Sequence, residues 1–148
     1  VYCVSGFRGH AMQAIRLGRE GDLSGTDAIQ WEADQNTPYV SSPLLYDDKI
    51  YLVADLRATV SRYDALTGKA YFTGKRIRGM KAVYASLVGA GGHVYISDRE
   101  GTTTVIEHSD QFRVVSTNKL DDVLDASPAI VGDELYLRGA KFLYCISK

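Results

Sequence analysis

The chain has 148 residues, 45% of them apolar and 24% charged, with a net charge of −1. That balance describes a globular protein and argues against a general polyanion-binding surface, so nucleic acid is not the expected partner. No apolar run approaches the roughly 20 residues that a membrane-spanning helix needs.

In chain order, Val1-Tyr2-Cys3-Val4 reads as a strand and residues 12–16 as a second. Residues 18–26 form a glycine-rich turn before a segment carrying Trp31. Within that turn Asp22-Leu23-Ser24-Gly25-Thr26 resembles the start of a calcium loop, but its twelfth position is Ala33 where a glutamate is required. Residues 35–41 connect to four short predicted strands at about 43–46, 50–54, 59–63 and 70–73. Asp47-Asp48 and Asp64 to Lys69 supply turns, because Asp, Thr and Gly tolerate positive φ or bond their own backbone. Lys75 to Lys81 holds four cations in seven residues and is read as a solvated loop rather than a nucleic-acid patch. Gly89-Ala90-Gly91-Gly92 leads into a strand and is read as a hairpin turn, since a phosphate loop needs a following helix. Residues 102–106 are β-branched throughout and fit a strand.

These segments repeat. Ser42 stands nine positions before Tyr51, Ser86 nine before Tyr95, and Ser127 nine before Tyr136, with a turn in each interval. The three tyrosines are spaced by 44 and then 41 positions, the period of a four-stranded propeller blade. Runs such as Ile50-Tyr51-Leu52-Val53 are apolar at consecutive positions, whereas a sheet with one wet face would alternate. A blade stacked between neighbours explains that pattern. A β-sandwich with chance similarity among its hairpins is the alternative.

The expected fold is therefore all-β, a partial propeller of four-stranded antiparallel blades. Its segments are an incomplete blade at 1–34, blades at 40–78 and 83–119, and an incomplete blade at 126–148. Because the chain starts inside a strand and stops where a fourth strand would follow, the expectation is the C-terminal part of a longer ring, whose remaining blades belong to the same chain.

Residues with chemistry are sparse. His10, His93 and His108 lack metal-ligand spacing and are expected at the surface. Cys3 and Cys145 lack a CxxC context and are read as small buried strand residues, with their pairing left open. No Gly-x-Ser-x-Gly elbow occurs, and Asp64 is expected to bond the backbone of its own turn. No catalytic, cofactor or metal residue is assigned. One positional argument remains: loops entering the innermost strands ring the mouth of a propeller's channel, so a ligand would meet Tyr39, Ser41, Tyr84 and Asp125 first. The competing reading is that Ser42, Ser86 and Ser127 bond backbone and the tyrosines pack.

Asp64-Ala65-Leu66-Thr67-Gly68-Lys69-Ala70-Tyr71-Phe72 resembles the D-x-x-T-G-K-x-x-W signature of the PQQ-like (quinoprotein-type) β-propeller repeats, with Phe72 in place of the docking tryptophan. Trp31 keeps that tryptophan in the first copy, where the turn is enlarged. Ser109-Asp110-Gln111 replaces the Thr-Gly-Lys turn in the third. Three stretches, 14–16, 39–43 and 125–144, resemble the C-terminal region of bacterial PQQ-like repeat proteins. The resemblance implies a bacterial, periplasmic or otherwise extracytoplasmic setting, although no signal peptide is visible in these residues. Quinoprotein dehydrogenases of this kind carry a vicinal cysteine pair, a tryptophan floor beneath the quinone and carboxylate and amide ligands for calcium. None of those residues can be placed here, so no cofactor is evident. Relatives such as the outer-membrane assembly lipoprotein use the same blades without cofactor, as an interaction platform. The expected function is a non-catalytic platform for a protein or other extracytoplasmic ligand. The alternative is part of a dehydrogenase that binds PQQ and calcium and oxidises alcohols or sugars through residues elsewhere.

Overall fold

The computed structural model describes residues 1–54 and 56–147. Lys148, the end of the last predicted segment, lies outside the described residues. Among the described residues fourteen strands and no helix form four antiparallel sheets, each built from consecutive strands. The first sheet is β1 (Tyr2–Ser5), β2 (Ala11–Ile15) and β3 (Ile29–Ala33). The second is β4 (Leu44–Tyr46), β5 (Lys49–Ala54), β6 (Thr59–Asp64) and β7 (Ala70–Arg76). The third is β8 (Val88–Ala90), β9 (His93–Ser97), β10 (Thr102–Glu107) and β11 (Val114–Lys119). The fourth is β12 (Ala129–Val131), β13 (Glu134–Arg138) and β14 (Leu143–Ile146).

The repeat tyrosines hold one register. Tyr51 lies opposite Leu44, Tyr95 opposite Val88 and Tyr136 opposite Ala129, in each case two residues past the anchor serine. The short strands β4, β8 and β12 neighbour one another in that order, which places them innermost around a common axis. Two-residue turns join each to the next strand. Asp47 and Asp48 both carry positive φ, as do Gly91 and Gly92, the geometry whose twist matches a tight hairpin.

Strand β5 explains the unbroken apolar run. Ile50 and Leu52 enter one cluster with Met12, Tyr63, Trp31 and Val4, between the first and second sheets. Tyr51 and Val53 enter the other with Val60, Phe72, Val94, Ile96 and Ile106, between the second and third. All four are 0% exposed. At about 1.5–3 kcal/mol for each fully buried large apolar side chain, a strand wetted on one face would forfeit about half of that gain. The basic stretch 75–81 is anchored by Ile77 and Met80, both buried in the second cluster, so its apolar residues hold the loop while its cations face outward.

The turn from Asp64 to Lys69 docks on the preceding sheet. Trp31 Nε1 and the Tyr2 hydroxyl both donate to Ala65 O at 2.9 Å. Gly68 has φ +71°, and a Cβ there would meet Trp31 at 2.6 Å. The next junction replaces this with Phe72 edge-on to Phe112, ring centroids 5.7 Å apart. There, too, Tyr46 lies where a Cβ on Gly89 would be, and its hydroxyl accepts from Gly92 N–H.

Two expectations are corrected. Cys3 and Cys145 are exposed free thiols rather than buried. Each sits on the outward face of the first or last sheet, a face that no further described sheet covers. His108 is not a surface histidine: its side chain is 16% exposed and wedged between the second and third sheets.

Gly68→Ala combines left-handed strain of about 1–2 kcal/mol with displacement of Trp31. Gly91→Ala, where a Cβ has open space, carries the strain alone. Urea unfolding is expected to show the first variant less stable by at least about 1 kcal/mol, and Trp31→Ala is expected to erase that difference.

Candidate functional site

In an antiparallel blade successive loops alternate between the two ends of the sheet. The connectors into β4, β8 and β12 therefore share one end with the turns after β1, β5, β9 and β13. The hairpins at 47–48, 91–92 and 132–133 lie at the other end. The first end is the mouth.

Around the axis the anchor serines form a directed chain. Ser42 N–H donates to Ser86 Oγ at 3.0 Å, and Ser86 N–H donates to Ser127 Oγ at 2.9 Å. These links span 44 and 41 residues, the repeat period itself. They fix how far each connector projects. Among the four expected mouth residues, Ser41 is turned inward, 3% exposed, its hydroxyl donating to Val53 O of β5. Tyr39 is 61% exposed and stacks on Phe7 of the β1–β2 turn, centroids 4.9 Å apart. Tyr84 lies under the Arg99 guanidinium at 4.3 Å. Arg99 in turn binds Asp125 through two bonds, Nε to Oδ1 at 2.7 Å and a terminal nitrogen to Oδ2 at 3.1 Å. The structure thus joins Tyr84 to Asp125 through Arg99, and places Tyr39 and Tyr84 on one cleft of about 490 Å³.

That cleft also holds Phe7, His10, Leu56 and Arg57, which the sequence reading did not single out. Phe7, Leu56 and Arg99 stand four or five residues past Tyr2, Tyr51 and Tyr95, at the turn that shares the mouth with the connectors. Strand parity alone would have found them. Thr37 ties the first connector down: its hydroxyl donates to Ser5 O at 2.7 Å, so the 3.1 Å contact from His10 Nδ1 is a donation into the same oxygen.

Two further groups of titratable residues are structural. Asp98 accepts from Glu100 N–H and Thr102 N–H of its own turn and from Lys81 N–H of the connector before it. In the last sheet Gly139 occupies the matching place, three residues past the repeat tyrosine, and the contact runs in reverse. Asp122 of the connector accepts from Ala140, Lys141 and Phe142 N–H and from the Tyr144 hydroxyl. A Cβ on Gly139 would land on that carboxylate. Burial alone would raise the Asp122 carboxyl, but the bonds from Lys141, Val123, Phe142 and Tyr144 outweigh it and hold it below its ordinary value.

Between the second and third sheets Arg62, 3% exposed, donates to Asp110 at 2.6 Å and lies over Tyr71 at 4.6 Å. Tyr51 shares a 2.9 Å hydrogen bond with His108, and burial pushes the phenol up to about 12. Burial and the Arg62 charge hold His108 below its usual value against the opposing pull of Asp47. At the Thr-Gly-Lys turn Asp64 accepts from Thr67 N–H at 3.0 Å, as expected, and also from Lys49 at 3.0 Å. Those bonds, Thr67 first, hold its carboxyl well below the carboxylate range.

No protein-family model and no curated protein sequence matches the chain. Solved structures do. BamB from Moraxella catarrhalis superimposes with a TM-score of 0.69 at 18% identity, over 94% of this chain and 41% of that one. The computationally designed Ika4 protein gives 0.67 at 13% identity, over 94% and 82%. A europium-containing methanol dehydrogenase gives 0.58 at 17% identity, over 80% and 22%. The fold is that of part of a β-propeller. The chain spans about two-fifths of the BamB chain it matches. No helix among the described residues is long and apolar enough to cross a membrane.

Trp31 lies against Gly68 and gives its indole N–H to Ala65 O, so it is an interblade dock rather than a cofactor floor. Cys3 and Cys145 lie on different sheets. No group of three His, Cys, Asp or Glu among the described residues is arranged to hold a metal ion, the 22–26 turn included, where Asp22 accepts from Ser24 N–H.

Ser86→Ala removes the acceptor for Ser42 N–H and is expected to cost about 1 kcal/mol, measured by chemical denaturation. Because the folded Asp64 carboxyl lies below its unfolded value, its contribution is complete above about pH 4 and is lost as pH falls further. Asp64→Asn is therefore expected to flatten the acid limb of stability against pH, leaving the slope above pH 5 unchanged.

Proposed function

We propose that this chain is a non-catalytic PQQ-like repeat propeller segment, part of a longer ring, acting as a binding platform for a protein or other extracytoplasmic partner at the mouth. The observation that carries this is the character of that end. Phe7, Tyr39, Val40 and Leu56 are 57%, 61%, 45% and 80% exposed and line the one cleft together. A contiguous exposed apolar patch, especially one with polar residues at its rim, marks an interaction site. Two ion pairs, Arg99 with Asp125 and Lys81 with Glu100, tie turns to connectors at the mouth and stiffen the platform. The extracytoplasmic setting follows from the same reading and from the repeat signature.

The likeness to a methanol dehydrogenase supports a second reading, in which the ring oxidises an alcohol or sugar with PQQ and calcium bound by residues elsewhere. One experiment separates the two. A photo-crosslinking residue placed at Tyr84 of the full-length protein in its own cells is expected to give discrete adducts, and the same residue at Leu66, 81% exposed on a hairpin at the opposite end, to give none. Dye reduction on adding PQQ, calcium and an alcohol to the full-length protein, with no adducts from Tyr84, would establish the enzyme instead.

A further inference from the structure

The turn at 108–112 reaches the second sheet through three side chains. Asp110 accepts from Arg62 at 2.6 Å and Phe112 meets Phe72 edge-on. The His108 ring lies against Tyr46 and Tyr51, centroids 4.6 and 5.8 Å away. The root of the turn is fixed by His108 N–H, which donates to Gly92 O at 2.9 Å. Gly92 N–H in turn crosses the junction to the Tyr46 hydroxyl at 3.0 Å.

Tyr51 decides which nitrogen of His108 bears the proton. Tyr51 is 0% exposed, and its hydroxyl shares a 2.9 Å bond with His108 Nδ1. A buried phenol proton without an acceptor is costly, so the hydroxyl donates and Nδ1 accepts. The ring proton then sits on Nε2, 3.9 Å from Asp47 Oδ2. An imidazolium carries a proton on both nitrogens. Its Nδ1–H would point at the Tyr51 oxygen, and the phenol proton would lose its acceptor.

The surrounding charges do little to offset that cost. Tyr46, Asp47, Lys49, Tyr51 and Arg62 face the ring from the second sheet. Its own sheet contributes Asp110 and the neighbouring cross-strand pair Glu107 and His93. Lys49 is matched by Asp64, and Arg62 by Asp110. The remaining carboxylate, Asp47, is 72% exposed, so solvent screens its pull on the ring.

We propose that His108 is a proton-sensitive latch at the hairpin end of the junction between the second and third sheets. With a neutral ring the 108–112 turn is held against β4 and β5. A second proton on the ring releases the turn from Tyr46 and Tyr51, while the apolar cluster behind it keeps the two sheets stacked. The folded imidazole lies below its unfolded value. The latch therefore contributes fully above about pH 6.5 and is lost as pH falls through the folded value.

Ring C–H resonances of the full-length protein test this, with His108 assigned by its absence from His108→Gln. The His108 midpoint is expected below about 6.5. Asp47→Asn, tolerated at φ +45°, removes the remaining carboxylate and is expected to lower that midpoint further. Tyr51→Phe removes the donor to Nδ1 and is expected to raise it. Amide exchange, corrected for its intrinsic pH dependence, is expected to rise at least about three-fold in segments 91–95 and 107–112 between about pH 7 and about pH 5.5. Leu120 N–H, bonded to Gly101 O at the other end of the third sheet, should not change. In His108→Gln both segments should exchange equally at the two pH values. A His108 midpoint at or above about 6.5, exchange in both segments that ignores pH, or an unaltered pH response in His108→Gln would each overturn the proposal.

Discussion

Each inner sheet of this molecule has to be dry on both faces, and most of the other features follow from that. A four-stranded sheet presents two apolar surfaces only if something covers each, and β5 shows the demand most clearly, with four consecutive side chains sent alternately into two separate clusters. Stacking sheets around an axis answers it with one kind of contact used repeatedly. Strands at the ends of the stack show the converse. In β1 and β14 side chains on the uncovered faces remain exposed, the two cysteines among them.

Face-to-face burial is not directional, and it would allow one sheet to slide on the next. Polar contacts supply the register. At the first junction two donors from one sheet converge on the Ala65 carbonyl of the next. At the second, Tyr46, Arg62 and His108 share the role. Asp98 and Asp122 make the same tie between connector and turn from opposite ends. The contacts differ in chemistry but occupy matching places, so geometry is repeated more faithfully than sequence. That is why 13–18% identity accompanies close superposition on other propellers.

The parts legible in the sequence were those governed by short-range rules. The four strands of the second sheet, the paired Asp and Gly hairpins and the Asp64 turn lie within a few residues of expectation, because turn chemistry and strand periodicity are local. Trp31 was recognisable because it stands where Phe72 stands in the next copy. What escaped was decided across the fold. Nothing near His108 announces Tyr51, 57 residues away. The exposure of Cys3 and Cys145 depends on which sheet lies opposite, not on their neighbours in the chain. At the mouth, Tyr39, Tyr84 and Asp125 were reached by position, yet Ser41 turns inward. Phe7, Leu56 and Arg99 share a location but no residue type, so no motif marks them.

The serine chain has a consequence for where this molecule tolerates change in length. Because each link joins one anchor directly to the next, residues added at the outer rim lie outside the spacing it measures, and the enlarged 18–26 loop of the first sheet is an example. A residue inserted between an anchor serine and its tyrosine would instead turn every later side chain of that strand to the opposite face. Growth is therefore confined to the periphery, and the axis keeps a fixed gauge.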